Sequence, residues 1–180
     1  METYYHFVGA RLRDGSPVPR DGEWLEYDGP LPLVPCERGL HASGHPFDAL
    51  IYAPGPILCR VEVAPGIDPE TGQEVPILHR GDKLVAMRRR IVSRIDATAM
   101  CWEFARRCAL DVAHLWDCPD EVRHYLITGN ESLRRAAEST AWSAAESAAW
   151  SAAWSAAWSA AREMHRTWVA EMVAAAFGAR

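Results

Sequence analysis

The sequence is almost free of lysine: Lys83 stands alone, and the other 18 of its 19 basic residues are arginine. Arginine presents a planar fork of donors suited to carboxylates and phosphates. An excess of positive charge is also missing. With 24 acidic residues the formal charge is −5, which argues against a general nucleic-acid binder. Close cysteine pairs are absent, and the five cysteines are an odd number, unlike a secreted disulfide scaffold. Met1–His6 has neither the basic nor the apolar stretch of a signal peptide. A cytoplasmic location with reduced thiols is therefore expected. There is no G-x-S-x-G, P-loop or H-E-x-x-H motif, so no catalytic residue is assigned and enzymatic activity stays open.

What is present is ordinary in bulk and uneven in distribution. A chain of 180 residues suits one domain, or a small domain with an appendage. Its 49% hydrophobic and 24% charged content excludes full disorder. Residues 1–96 hold all but one of the prolines, with short apolar runs between turn signals, the pattern of a β-rich head. Strands are expected at Tyr4–Val8, Leu31–Pro35, Ile57–Val63 and Lys83–Ile95, and a short helix at Pro46–Tyr52 with Ser43 near its cap. Residues 97–130 read as a helical neck. One helix runs from Asp96 to about Trp116; a second turns Val122, Tyr125 and Leu126 inward and stops at Thr128-Gly129-Asn130. Residues 131–180 read as one long helix of ~47 residues, ~70 Å at the usual rise. The fold class expected is thus α+β: a small β-rich head, a helical neck and one long Ala/Trp-rich helix.

From Ser139 the chain repeats in tetrads, STAW, SAAE, SAAW, SAAW, SAAW, SAA. Trp142, Trp150, Trp154 and Trp158 share one phase. A period of 4.0 drifts ~40° per tetrad around a helix of 3.6 residues per turn. Small Ala and Ser allow close approach and indoles supply contact area, so these four tryptophans are the expected interface of a homo-oligomer. An intramolecular brace is the competing reading. A membrane span is not expected: residues 139–161 are long enough, but they carry six serines, Glu146 and a Trp at nearly every level.

Two segments of the head carry candidate chemistry. Cys36, His41 and His45 are donor types for zinc, yet C-x4-H-x3-H fits no strong metal pattern, and no metal is expected. Lys83–Ile95, read as a strand, turns Val85, Met87, Ile91 and Ile95 one way and Arg88, Arg90 and Arg94 the other. Arg89 then falls on the apolar side, where a charge needs an anionic partner. Arg88, Arg89 and Arg90 are accordingly candidate contacts for a small anionic ligand.

Gly39-Leu-His41-Ala-Ser43 through Tyr52, followed by the apolar run Ile57–Gly66, resembles the middle of the ADP-ribosyltransferase fold. The resemblance implies His6 as a ribose-binding residue on the first strand. It implies His41 in place of the aromatic that stacks on nicotinamide, Ser43 as the nearby hydroxyl, and Tyr52 at the end of the short helix. The implied cofactor is NAD or another nucleotide; without that resemblance none is expected. A longer likeness joins Tyr4–Phe7, Leu12–Pro19, Gly22–Trp24, Cys36–Ser43, Pro46–Leu50 and His114–Asp117. It resembles an uncharacterised bacterial and phage family with Ala/Trp-rich tails, which implies an architecture and no activity. The function expected is a non-enzymatic, self-associating protein whose head presents a polar ligand or partner surface. The alternative is an ADP-ribosyltransferase-like nucleotide-binding module, such as a nucleotide-sequestering phage protein.

Overall fold

The computed structural model describes residues 2–115, 117–134 and 154–178, with side chains in the last stretch described from residue 161. Two compact units emerge. One comprises the chain up to Thr98 together with Val169 onward; the other runs from Ala99 to Trp168.

The first unit is built on an antiparallel sheet of four strands in the order β1, β4, β9, β2, comprising Tyr4–Val8, Ile57–Ala64, Arg88–Asp96 and Trp24–Glu26. A second sheet pairs β3 (Leu40–Ala42), β8 (Lys83–Ala86) and β7 (Leu78–Arg80). The short strands β5 (Gly66–Ile67) and β6 (Glu74–Val75) form a hairpin. The two larger sheets meet where Tyr5 and Ser43 exchange backbone hydrogen bonds of 2.8 and 2.9 Å. Tyr4, Val8, Cys59, Val61 and Ile91 of the first sheet pack with Ala42 and Leu84 of the second.

Helix α1 (Pro46–Ile51) starts on a proline, which fits a first helical turn because no N–H is missed there. Its cap is the His45 ring, which accepts from the Phe47 N–H at 3.1 Å; Ser43 instead pairs with β1. The expected strand Leu31–Pro35 does not form. Pro30, Pro32 and Pro35 remove ladder donors, and the segment is a turn closed by the Val34–Arg38 bridge.

The expected single strand Lys83–Ile95 divides. Lys83–Ala86 belongs to one sheet and Arg88–Asp96 to the other, with the break at Met87. Register also shifts between Arg60 and Val61, where β9 carries an extra residue: Val61 faces Ile91 but Arg60 faces Ser93. Such a bulge reverses which face later residues occupy. Ile91 lies opposite Val61 and points into the core. Ile95 lies opposite Leu58 on the other face, and Arg94 comes round to face Cys59.

The second unit contains most of α2 (Thr98–Asp111), a 3-10 turn at Ala113–Leu115 and α3 (Asp120–Thr128). Ala113, Cys118 and Val122 form its core with Leu110, Tyr125 and Leu126. Gly129 ends α3 at φ 65, the left-handed conformation that glycine adopts without penalty.

The long tail helix is the expectation that fails. The described C-terminal helix, α4, is Trp154–Gly178, 25 residues in place of ~47. It is not an appendage. Its first part belongs to the second unit and its end, from Val169, to the strand-rich one. Val169 and Val173 are fully buried and Phe177 nearly so, spaced four apart on one helix face. The Arg60 guanidinium lies 4.0 Å from the centre of the Phe177 ring. This sets the helix end on the sheet face that Arg60 shares with Leu58, and by register with Phe7 and Ile95. An Ala/Trp repeat has no apolar face matched to a sheet, whereas Val169-x3-Val173-x3-Phe177 does. Trp142 and Trp150 lie outside the described residues, and nothing is described of the Trp154 and Trp158 side chains.

Candidate anion site

The arginines of the strand-rich unit fall into two groups. Arg88 pairs with Glu26 at 3.1 Å, and Arg90 donates to Glu62 at 2.6 Å. Both guanidinia stack on Trp24, 4.7 and 4.8 Å from its ring centre. Arg94 donates to Asp21 and to the Pro19 carbonyl, both at 2.7 Å. These three arginines are neutralised on the spot. Arg88 and Arg90, the expected ligand contacts, thus meet two carboxylates and one indole within the chain.

Arg89 differs. It sits opposite Val63 and Leu25, points inward, and is 7% exposed. Its Nη1 donates to the His41 carbonyl at 2.5 Å. Among the described residues no carboxylate pairs with it. Burial, opposed by Cys59, brings its pKa down to about 10, so it remains a cation at neutral pH. An arginine carries five N–H donors, and among the described residues one of them, on Nη1, has a protein acceptor.

His6 lies on β1 directly across from Cys59, on the inner face with Tyr4 and Val8. It is half-buried, and among the described residues its ring has no hydrogen-bond partner. Burial, then the charges of Arg89 and His41, hold its pKa well below the usual histidine value. The Cys59 thiol, pushed up to about 11 chiefly by burial, is neutral.

His41 belongs to the same neighbourhood but faces elsewhere. Strand alternation places its ring with Val85 and Lys83, opposite to Ala42 and Leu84, which enter the core. Its Nε2 accepts the Cys36 N–H at 2.7 Å. Cys36 can offer that N–H because its backbone is left-handed, at φ 71. Lys83 donates to the Cys36 sulfur at 3.1 Å and lies 3.7 Å from the centre of the Tyr52 ring. Tyr52 in turn donates to Asp82 at 3.0 Å. Burial, then Arg89, Lys83 and Arg13, lower the His41 pKa, while a hydrogen bond to the Gly39 backbone opposes them. Gly39, at φ 114, leads into this strand where a Cβ would run into Val85 and Leu33.

The structure therefore gathers His6, Arg89, His41 and Ser43 around the seam of β1 and β3, without turning both imidazoles into one cleft. Ser43 is buried and pinned by its backbone to Tyr5. Tyr52 joins His41 only through Lys83. Lys83 and Arg13 had no signal beyond their charge; their common feature is that, like Arg89, neither has a carboxylate partner among the described residues. A buried Arg89 with no carboxylate partner among the described residues is the feature here suited to an anion. No group of three or more metal-type ligands occurs among the described residues, and no described helix is long and apolar enough to cross a membrane.

Two depressed histidines also set a pH response. Below a pH of about 6.5 the unfolded chain takes up protons that the folded His6 and His41 refuse. Folding stability then falls as pH drops below that value, by at most about 1.4 kcal/mol per pH unit for each histidine. Denaturant melts between about pH 5 and pH 7 read this directly. In His6→Gln the slope is smaller than in the parent.

No family model, no curated protein and no solved structure matches this chain.

Proposed function

We propose that the strand-rich unit binds a small phosphate-bearing ligand, anchored by Arg89. The observation that carries this reading is a contrast within one strand. Arg88, Arg90 and Arg94 each have a carboxylate, and Arg89, the most buried of the four, has none among the described residues. Leaving a buried charge uncompensated is costly, and an anionic ligand removes that cost. The likeness of Gly39–Tyr52 to the ADP-ribosyltransferase fold makes a nucleotide such as NAD the first class to test.

The experiment is thermal melting of the full chain with inorganic phosphate, ADP-ribose or NAD. A ligand that binds the folded state raises its melting temperature by linkage, by about 2.7 kcal/mol of stability at a hundredfold excess over Kd. Arg89→Met removes the shift. No shift with any of the three at millimolar concentration would overturn the proposal.

A second reading, self-association, is favoured by one observation: four tryptophans in a single phase of an Ala/Ser repeat. It expects a solution mass of at least twice 20.0 kDa. Light scattering that finds a stable monomer at high concentration excludes it.

A further inference from the structure

We propose that Cys36 and Lys83 form an oxidative modification site. A hydroperoxide converts the Cys36 thiolate to a sulfenic acid, and the Lys83 amine then displaces the hydroxyl to leave a thiol-reversible Sγ–Nζ bond.

The pair stands out because it holds two nucleophiles in contact. Lys83 Nζ lies 3.1 Å from Cys36 Sγ. Cys36 is the one exposed cysteine; Cys59 and Cys118 are buried, and Cys101 and Cys108 are half-buried. Burial, the largest influence on each, pushes the Cys59 and Cys108 thiols up to about 11. The amine is as singular as the thiol. The chain uses arginine at 18 of its 19 basic positions and lysine only here. To pair with a carboxylate or phosphate, arginine serves at least as well. Lysine alone supplies a primary amine that can bond to sulfur.

Both groups are held by the backbone beneath them. The Cys36 N–H donates to His41 Nε2 at 2.7 Å, within the turn closed by the Val34–Arg38 bridge. Lys83 opens β8, paired with Arg80. Its ammonium lies 3.7 Å from the centre of the Tyr52 ring, and the Tyr52 hydroxyl donates to Asp82 at 3.0 Å. The lysine is thus laid between the ring and the sulfur. Cys36 and Tyr52 are both exposed, which leaves the sulfur open to a small oxidant.

The chemistry closes in two steps. The attacking form of a cysteine is its thiolate, with the Lys83 ammonium as counterion. Sγ attacks one peroxide oxygen, the O–O bond breaks and an S–O bond forms, so sulfur loses the two electrons that the peroxide gains. The departing hydroxide takes a proton from the Lys83 ammonium and leaves as water. The freed amine attacks the sulfur, the S–O bond breaks, and a second water carries off that hydroxyl with one amine proton. This step transfers no further electrons and is the condensation that sulfenic acids make with thiols and backbone nitrogen. An added thiol reverses it by attacking Sγ and releasing the amine, and a second thiol then frees Cys36 as a disulfide leaves.

Peptide mapping of the full chain tests the proposal. The folded protein is treated with one equivalent of hydrogen peroxide, its free thiols are blocked with iodoacetamide, and it is digested with trypsin. The expected product is a linked pair of peptides carrying Cys36 and Lys83, two hydrogen atoms lighter than their sum, with the bond after Lys83 uncut. Dithiothreitol before blocking removes the link. Unfolding the protein in guanidinium before the peroxide also abolishes it, because the contact is then lost. Lys83→Arg keeps the positive charge and loses the link, and Cys36 halts at the sulfenic acid, which dimedone captures. Oxidation of Cys36 in the folded parent without a link to Lys83 would overturn the inference. So would a Cys36 that peroxide leaves intact, or a link that forms equally in the unfolded chain.

Discussion

A chain ending at Trp168 loses the cooperative melt of its strand-rich unit. Val169, Val173 and Phe177 are three of the buried residues of that unit, and the first two are 1% exposed. Burying side chains of this kind contributes about 1.5–3 kcal/mol each, so the loss of all three costs about 4.5–9 kcal/mol. That is comparable with the whole stability of a typical domain, about 5–15 kcal/mol. The loss also bares the sheet face carrying Leu58, Phe7 and Ile95. The repeat-based view of residues 139–180 as a dispensable tail leads to the opposite expectation, an intact head. Near-UV dichroism and a denaturant melt of the truncated chain decide between them. Phe177→Ala in the full-length chain is a milder version, expected to cost about 3–5 kcal/mol as for other buried aromatics. If the truncated chain melts like the parent, the end of α4 is not part of that core.

Arg89→Met is expected to separate stability from binding. Replacing a buried charge with an apolar side chain of similar length removes a desolvation penalty, and such replacements are neutral or stabilising by about 1–4 kcal/mol. The lost charge-assisted bond to the His41 carbonyl takes back about 1.5–3 kcal/mol. The variant therefore melts close to the parent in ligand-free buffer, while phosphate and nucleotides no longer shift it. Arg89→Lys keeps the charge but not the fork, and an intermediate shift is expected. A ligand-free Arg89→Met protein that is several kcal/mol less stable would mean that Arg89 is a structural staple for β3.

How far the sequence discloses this structure depends on the range of the interaction. Tyr4–Val8 forms as a short run of aromatic and β-branched residues before Gly9 indicates, since such side chains suit a half-buried pleated surface. The inward position of Arg89 is also legible: counting by twos from Val85 and Met87 places a charge among apolar residues, and it lies there. The same count fails five residues later. The extra residue at Val92 turns Arg94 and Ile95 over, and no Gly or Pro marks it. The seam is less legible still. That Arg89 reaches the strand junction beside β1 follows from its bond to the His41 carbonyl and the pairing of Tyr5 with Ser43, long-range contacts that period alone does not specify. His41 shows the reverse error: it lies close to His6 in space, yet alternation within its three-residue strand turns its ring the other way. The return of Val169–Phe177 onto the head is written as i, i+4, i+8 spacing, but the louder Ala/Trp repeat before it masks the signal.

The contact between Arg60 and Phe177 spans 117 positions of chain. On the ribosome, an N-terminal domain ordinarily folds while the rest is still being made. Here β1, β4 and β9 are synthesised early but must wait for Phe177 to emerge before one face of their sheet is covered. During that interval Leu58, Phe7 and Ile95 are open to other chains, and closure requires a loop long enough to slow the final step. Production of this protein is thus expected to depend on whatever shields a nascent sheet, and its yield of native molecules to fall with temperature and crowding of ribosomes on the message before its equilibrium stability does.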